Sequence, residues 1–217
     1  MPVVEKIIIA VDGPAASGKG TLARKLAVHF NLALLDTGTL YRAVGWNVLC
    51  TGGNPENENE ALEAAQKIAK TDLTNPELRS ESIGAAASKV ASMPAIRQVL
   101  VDFQRHFAAN PPKDKSGTIL DGRDIGTVIC PEATVKLFVT ANVETRAKRR
   151  FIEEFGEKGT DEQYISILND LKTRDERDMN RSASPLKQAE NAYLIDTSDS
   201  DIEAVFEAAV KLVSNNT

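Results

Sequence analysis

The sequence predicts an α/β fold with a mostly parallel sheet covered by helices on both faces, and three observations predict it. Short apolar runs recur at 6–11, 32–35, 118–120, 135–139 and 192–195, none with polar–apolar alternation. Continuous runs of that kind suit parallel strands buried on both sides. Between them lie helical patterns, clearest at Ile96, Val99, Leu100, Phe103 and Phe107, and again at Ile202, Val205, Phe206, Ala209 and Val213. Strand and helix therefore alternate, as they do in parallel architectures. Third, the first run passes through Gly13-Pro14-Ala15-Ala16-Ser17-Gly18-Lys19-Gly20-Thr21 straight into a helical pattern at Leu22, Leu26, Ala27 and Phe30.

That third segment has chemical content. A buried strand turning through glycines into a helix aims backbone N–H groups and a lysine at phosphates. Gly13 and Gly18 allow the turn and close backbone approach, Lys19 supplies a point charge, and Thr21 offers a hydroxyl to Mg²⁺. The hydroxyl usually follows the lysine directly; here Gly20 intervenes. A glycine-rich turn that binds nothing would not need this lysine and hydroxyl between a strand and a helix.

With 217 residues, of which 42% are apolar, the chain can bury one core, so a single domain over 1–217 with insertions is expected. Lys and Arg total 26 against 31 Asp and Glu, a net charge of −5. This balance argues against nucleic acid or an anionic membrane as an obligatory partner. Cys50 and Cys130 stand far apart without metal-ligand spacing, which excludes a disulfide framework or zinc site as the organising feature. No apolar run approaches the roughly 18 residues needed to span a bilayer, and the N-terminal run is too short for a signal peptide. A cytoplasmic protein is expected.

Two stretches interrupt the alternation. From about 52 to 112 the chain leaves the strand pattern through Gly52-Gly53-Asn54-Pro55, an alanine-rich helix at 61–69 and a second helical stretch at 84–91. From about 146 to 181 it is highly charged, with Gly156 and Gly159 as candidate hinges, the composition of a solvated lid.

Four strand runs end in an acid: Asp12, Asp36, Asp121 and Asp196. Ligands of open α/β sheets sit at the carboxyl ends of strands, so these acids are placed for metal or substrate work. Asp196, followed by Thr197 and Ser198, reads instead as a turn former or helix cap. Phosphoryl transfer needs positive charge around several anionic oxygens. The candidates are Arg42, Arg97, Arg123, Arg174, Arg177 and Arg181. Arg42 follows Asp36-Thr37-Gly38 at a strand-to-helix junction. Arg123 lies in Asp121-Gly122-Arg123-Asp124, with Asp121 a candidate magnesium ligand. Arg174, Arg177 and Arg181 fall on one helical face, where Asp170, Asp175 and Asp178 could instead screen them in water.

These segments, together with L-L-D-T-G-T-L-Y-R, A-A-S-K-V-A, I-L-D-G-R-D-I-G-T-V and R-D-E-R-D-M-N-R, cover nearly the whole chain. In that order they resemble bacterial cytidylate kinases, P-loop nucleoside monophosphate kinases that transfer the γ-phosphoryl of ATP to CMP or dCMP. The resemblance implies a five-stranded parallel sheet, a nucleotide-monophosphate-binding insertion and a lid. It implies that 13–21 bind ATP and that Ser88, Arg97 and Asp124 read the cytosine edge. By the same resemblance Thr37, Arg42 and Arg123 hold the CMP phosphate, Arg174 and Asp178 the sugar, and Arg181 the phosphates. Asp121 then borders both CMP and Mg²⁺, and Lys19, Arg42, Arg123 and Arg181 form the catalytic set. Partners are confined to small molecules, with the chain acting as a monomer.

The cytosine assignment has chemical sense, because an aspartate accepts from the exocyclic amino group while arginine and serine donate to N3 and O2. Uracil would turn a carbonyl toward Asp124, at a cost of about 1–3 kcal/mol. One departure stands out: between Asp72 and Ser82 the chain is much shorter than in many family members, which carry a small β-rich extension there, and Leu73–Arg79 has no strand pattern. Other acceptors (UMP, AMP, a metabolite hydroxyl) remain rivals, as does a nucleotide-dependent switch, although no N-K-x-D guanine-reading motif occurs. A nucleic-acid-binding ATPase is disfavoured by the negative charge and only 5% aromatic residues.

Overall fold

Five strands form one sheet in the order β2-β3-β1-β4-β5. They are β1 (Ile7–Asp12), β2 (Leu32–Asp36), β3 (Gly117–Gly122), β4 (Val135–Thr140) and β5 (Tyr193–Asp196). β1 pairs parallel with β3, from Ile7 opposite Gly117 to Asp12 opposite Gly122, and with β4, from Ile9 opposite Val135 to Asp12 opposite Phe138. β4 pairs parallel with β5. This computed structural model describes residues 6–217. Each strand falls on one of the apolar runs; β1, β3 and β4 are mostly buried, as strands covered on both faces are, whereas the edge strand β5 exposes Tyr193 and Leu194.

The chain divides into two compact units, residues up to Leu34 with Pro111–Thr217, and Leu35–Asn110. In the first unit Ile9, Val11, Ile119, Leu137 and Val139 pack with Leu22 and Leu26 of α1 (Lys19–His29). Val205, Ala209 and Val213, from the C-terminal helix Ile202–Ser214, complete the cluster. Each fully buried Leu or Ile contributes about 1.5–3 kcal/mol of transfer free energy. His29 packs edge-on against Phe30 and Phe206, an aromatic contact on the outer side of α1.

The second unit contains α2 (Thr37–Cys50), α3 (Glu58–Gln66), α4 (Glu81–Val90) and α5 (Pro94–Ala109). α3 starts earlier than its alanines suggest because the Asn57 side chain accepts from Asn59 and Glu60 N–H. α2 and α4 touch at their backbones: a Cβ on Gly45 would fall 2.9 Å from Ala86 Cβ and 3.1 Å from the Ala87 nitrogen. The shortened stretch holds only a 3₁₀ turn, Pro76–Arg79, capped by Asn75.

The charged stretch after β4 forms two helices, α6 (Val143–Phe155) and α7 (Asp161–Asn180), ahead of the C-terminal helix, α8. α6 is capped by Asn142 and α7 by a Thr160–Gln163 capping box. Ala147, Ile167 and Leu171 form a small apolar cluster with Phe151 and Tyr164. Gly159 packs closely against Phe151: a Cβ there would lie 2.2 Å from its ring. Asp196 makes the turn, accepting from Ser198 N–H at 2.8 Å, whereas Asp201 caps α8.

Candidate active site

The glycine loop closes the carboxyl end of β1. Gly13 takes φ +152°, and a Cβ there would sit 1.9 Å from the Val139 carbonyl oxygen, so only glycine lets the loop lie on β4. Gly18, at φ +86°, leads into α1, whose first residue is Lys19. The first turn of α1 holds no acid of its own, so its N–H groups and dipole present a positive end. Ser17 Oγ is fully buried and has no hydrogen-bond partner. Lys19 Nζ lies 3.4 Å from Asp121 Oδ1. A Cβ on Gly20 would meet Asp121 Oδ2 at 3.1 Å, which brings this carboxylate from the end of β3 over the loop. The Thr21 hydroxyl is on an exposed residue and accepts from Arg24 Nη2 at 3.2 Å.

Two arginines of α6 hold the loop from outside. Arg146 is buried; its Nη1 donates to the Ala15 carbonyl at 3.2 Å, its Nε to Ala141 at 2.9 Å, and its fork grips both oxygens of Asp175 at 3.2 and 2.6 Å. Arg149 donates to the Thr197 hydroxyl at 2.9 Å and carbonyl at 2.6 Å. The same hydroxyl lies 3.0 Å from the Ser17 carbonyl and 3.1 Å from that of Thr140. Sequence reasoning missed Arg146, Arg149 and Thr197. The only trace was the E-T-R-A-K-R-R run, which reads as a solvated face.

Arg123, Asp124, Arg174, Asp178 and Arg181 lie in the same unit as the loop. Arg123 Nε donates to Asp178 Oδ2 at 2.9 Å, and its Nη1 to the Gly122 carbonyl at 3.1 Å. Arg181 Nη2 is 3.8 Å from Asp124 Oδ1, and its Nε donates to the Ser184 carbonyl at 2.6 Å. Arg174 is half-buried and Arg177 exposed. The acids of α7 do more than screen their own helix: Asp175 pairs with Arg146 and Asp178 with Arg123, each on another element.

Thr37, Arg42, Ser88 and Arg97 belong to the second unit. Thr37 is the buried first residue of α2. Arg97 is 4% exposed, lies 5.7 Å from the centre of the Tyr41 ring and donates to the Ala91 carbonyl. Ser88 stands one turn after Gly84 on α4. Arg42 Nη1 donates to the carbonyls of Leu78 at 2.9 Å and Ser80 at 3.2 Å, and Gly84 lies beneath the guanidinium. A Cβ on Gly84 would come within 3.1 Å of Nη2 and 3.3 Å of Nη1. Gly84→Ala is therefore expected to press on the Arg42 guanidinium and lower stability by about 1–3 kcal/mol. Urea unfolding checks it, and an unchanged midpoint would contradict it.

Asp12, read from sequence as a strand-end acid free for metal or substrate, spends both oxygens on backbone. It accepts from Ile125 N–H at 2.8 Å and Gly126 N–H at 2.7 Å. Burial pushes its carboxyl up to about 6, the Gly126 and Ile125 bonds oppose the rise, and Asp124 and Asp121 add to it. An acid whose pKa is higher folded than unfolded stabilises the fold while protonated. That contribution is complete below the unfolded value, 3.8, and is lost as pH rises through about 6. In urea unfolding, wild type should gain on Asp12→Asn by about 2 kcal/mol between pH 7 and pH 4. A pH-independent difference would contradict the shift.

A family model described as cytidylate kinase matches residues 9–215. The chain belongs to the cytidylate kinase family. A relative named cytidylate kinase from Paramagnetospirillum magneticum is 52% identical over 208 residues, covering 96% of this chain and 98% of the relative. Another of that name from Brucella suis biovar 1 is 52% identical over 213 residues, covering 98% and 95%. A solved structure of an uncharacterized protein from Eubacterium ventriosum superposes with TM-score 0.58 at 19% identity, covering 96% of this chain and 99% of that one. TT1252 from Thermus thermophilus gives 0.50 at 18% identity, covering 97% of each. These two likenesses show the fold alone.

Proposed function

We propose that this cytidylate kinase family member transfers the γ-phosphoryl of ATP·Mg²⁺ directly to CMP and dCMP, yielding ADP with CDP or dCDP. The observation that carries this reading is the set of cations on the loop's unit, each already oriented by an acid: Lys19 by Asp121, Arg123 by Asp178, Arg181 beside Asp124. Preset charges of this kind stabilise a phosphoryl transition state without reorganising as it forms. The acceptor is itself a phosphate oxygen, anionic near neutral pH, so no strong general base and no covalent enzyme intermediate are needed.

In this reading the 13–21 loop cradles the ATP phosphates. Thr37, Arg42 and Arg123 hold the CMP phosphate, and Ser88, Arg97 and Asp124 read the base. Arg174 and Asp178 hold the sugar, and Arg181 bridges the phosphates. The 52–112 stretch serves as the acceptor-binding insertion and 146–181 as the lid, whose closure excludes water and suppresses ATP hydrolysis. Mg²⁺ would be held by the Thr21 hydroxyl and the Asp121 carboxylate. Both are hard oxygen donors, and among the described residues there is no cluster of three or more His, Cys, Asp or Glu to cage a metal. That fits an ion that keeps waters and takes phosphate oxygens. When bound, it neutralises charge on the β- and γ-phosphates. Among the described residues no helix is long and apolar enough to cross a membrane.

The test is to supply ATP and Mg²⁺ with CMP, dCMP, UMP, AMP, GMP or no acceptor, and to measure ADP and the diphosphate formed. CDP and dCDP should form rapidly, UDP slowly, and the purine diphosphates little. Absence of acceptor-dependent ADP would overturn the reading.

A further inference from the structure

Asp12 ends β1 and precedes Gly13, the first residue of the phosphate loop. Its carboxylate, 4% exposed, grips the two consecutive N–H groups of Ile125 and Gly126 across the sheet. These belong to a single π turn, Ile125–Ile129, that begins immediately after Arg123-Asp124. The turn closes on the Asp124 carbonyl, which accepts from Val128 at 2.9 Å and Ile129 at 3.1 Å. Lys136 packs on the same side: a Cβ on Gly126 would lie 3.1 Å from Lys136 Cδ and 3.4 Å from Asp12 Oδ2. Lys136 is itself buried and donates to Asn191 Oδ1 at 2.8 Å.

A carboxylate that accepts from two adjacent peptides fixes both peptide planes, and with them the direction in which the preceding residues leave the strand. An amide of the same shape has one acceptor oxygen and turns N–H toward the second donor. Burying a charge here costs more than burying that amide, which is consistent with a role for the double grip. We propose that Asp12 is a positioning residue for acceptor selection: through the Ile125 and Gly126 amides it sets Arg123 and Asp124 in their working orientation. The proposal rests on the reading in which Arg123 holds the acceptor phosphate and Asp124 the cytosine edge. It gives the base of the phosphate loop and the acceptor-reading segment a common anchor.

The experiment compares Asp12→Asn, Gly126→Ala and Asp124→Asn with wild type, measuring kcat and KM for CMP and for UMP at saturating ATP, and KM for ATP. Gly126→Ala presses the same turn from within and keeps the test alive if Asp12→Asn does not fold. Asp12→Asn and Gly126→Ala should each raise KM for CMP, and lower the CMP-over-UMP ratio of kcat/KM, by about 10-fold, with KM for ATP changed less than about 2-fold. A uniform fall in kcat with the ratio unchanged would mark Asp12 as merely structural and overturn the inference. If Asp124→Asn lowers the ratio and the other two do not, the anchor is wrong while the proposed function stands. If Asp124→Asn leaves the ratio unchanged, the base-edge reading fails, and this inference with it.

Discussion

Lys19→Met is expected to lower kcat for CDP formation by about 10³-fold, the scale on which a preorganised donor to transition-state charge contributes. Lys19 is the first residue of α1 and lies 3.4 Å from Asp121, their side chains 12% and 6% exposed. In so little water its charge is poorly screened by solvent, and Asp121 holds it in place at the loop. Lys19→Arg should not rescue, because a planar fork cannot occupy the place of a compact ammonium. The variant also deprives the buried Asp121 of this cation, so stability must be measured beside activity; thermal unfolding separates the two. Activity within 10-fold of wild type in a folded variant would remove Lys19 from the catalytic set.

The second large effect falls on a residue outside the resemblance. Arg146→Ala should destabilise the protein by about 3–5 kcal/mol, because it breaks a buried bidentate pair and leaves Asp175 without that partner in a site where its side chain is 14% exposed. The same change strips a donor from the Ala15 carbonyl, so KM for ATP should rise even at temperatures where the variant is folded. Urea unfolding and ATP-dependent kinetics check the two parts. The double variant Arg146→Ala/Asp175→Ala should be less than the sum of the two single changes, since removing both charges leaves neither one buried alone. Full additivity would show that the pair does not couple.

Legibility differed by element. β1 and β4 were readable because burial on both faces leaves an uninterrupted apolar run, visible in IIIAV and VKLFV without any partner being known. α5 and α8 were readable because one face is apolar at helical spacing. α6 was not: its turns are mostly charged, and Arg146 and Ala147 are its buried residues. Its few apolar residues do keep helical spacing, but among so many charges that pattern reads as a solvated face. α7 was legible in its arginines but not in its acids, whose partners lie 29 and 55 residues away.

The sequence by itself determined the sheet's strands, the glycine loop after β1 and the family, because each is written locally, in apolar runs or in short motifs. The tertiary structure alone decided which charge answers which. Asp12 clamps the Ile125 and Gly126 amides, Asp178 orients Arg123, and Arg146 and Arg149 steady the loop from α6. Charged side chains look alike along the chain. Only their position in a poorly screened interior, where an unpaired charge is costly, selects one partner from many.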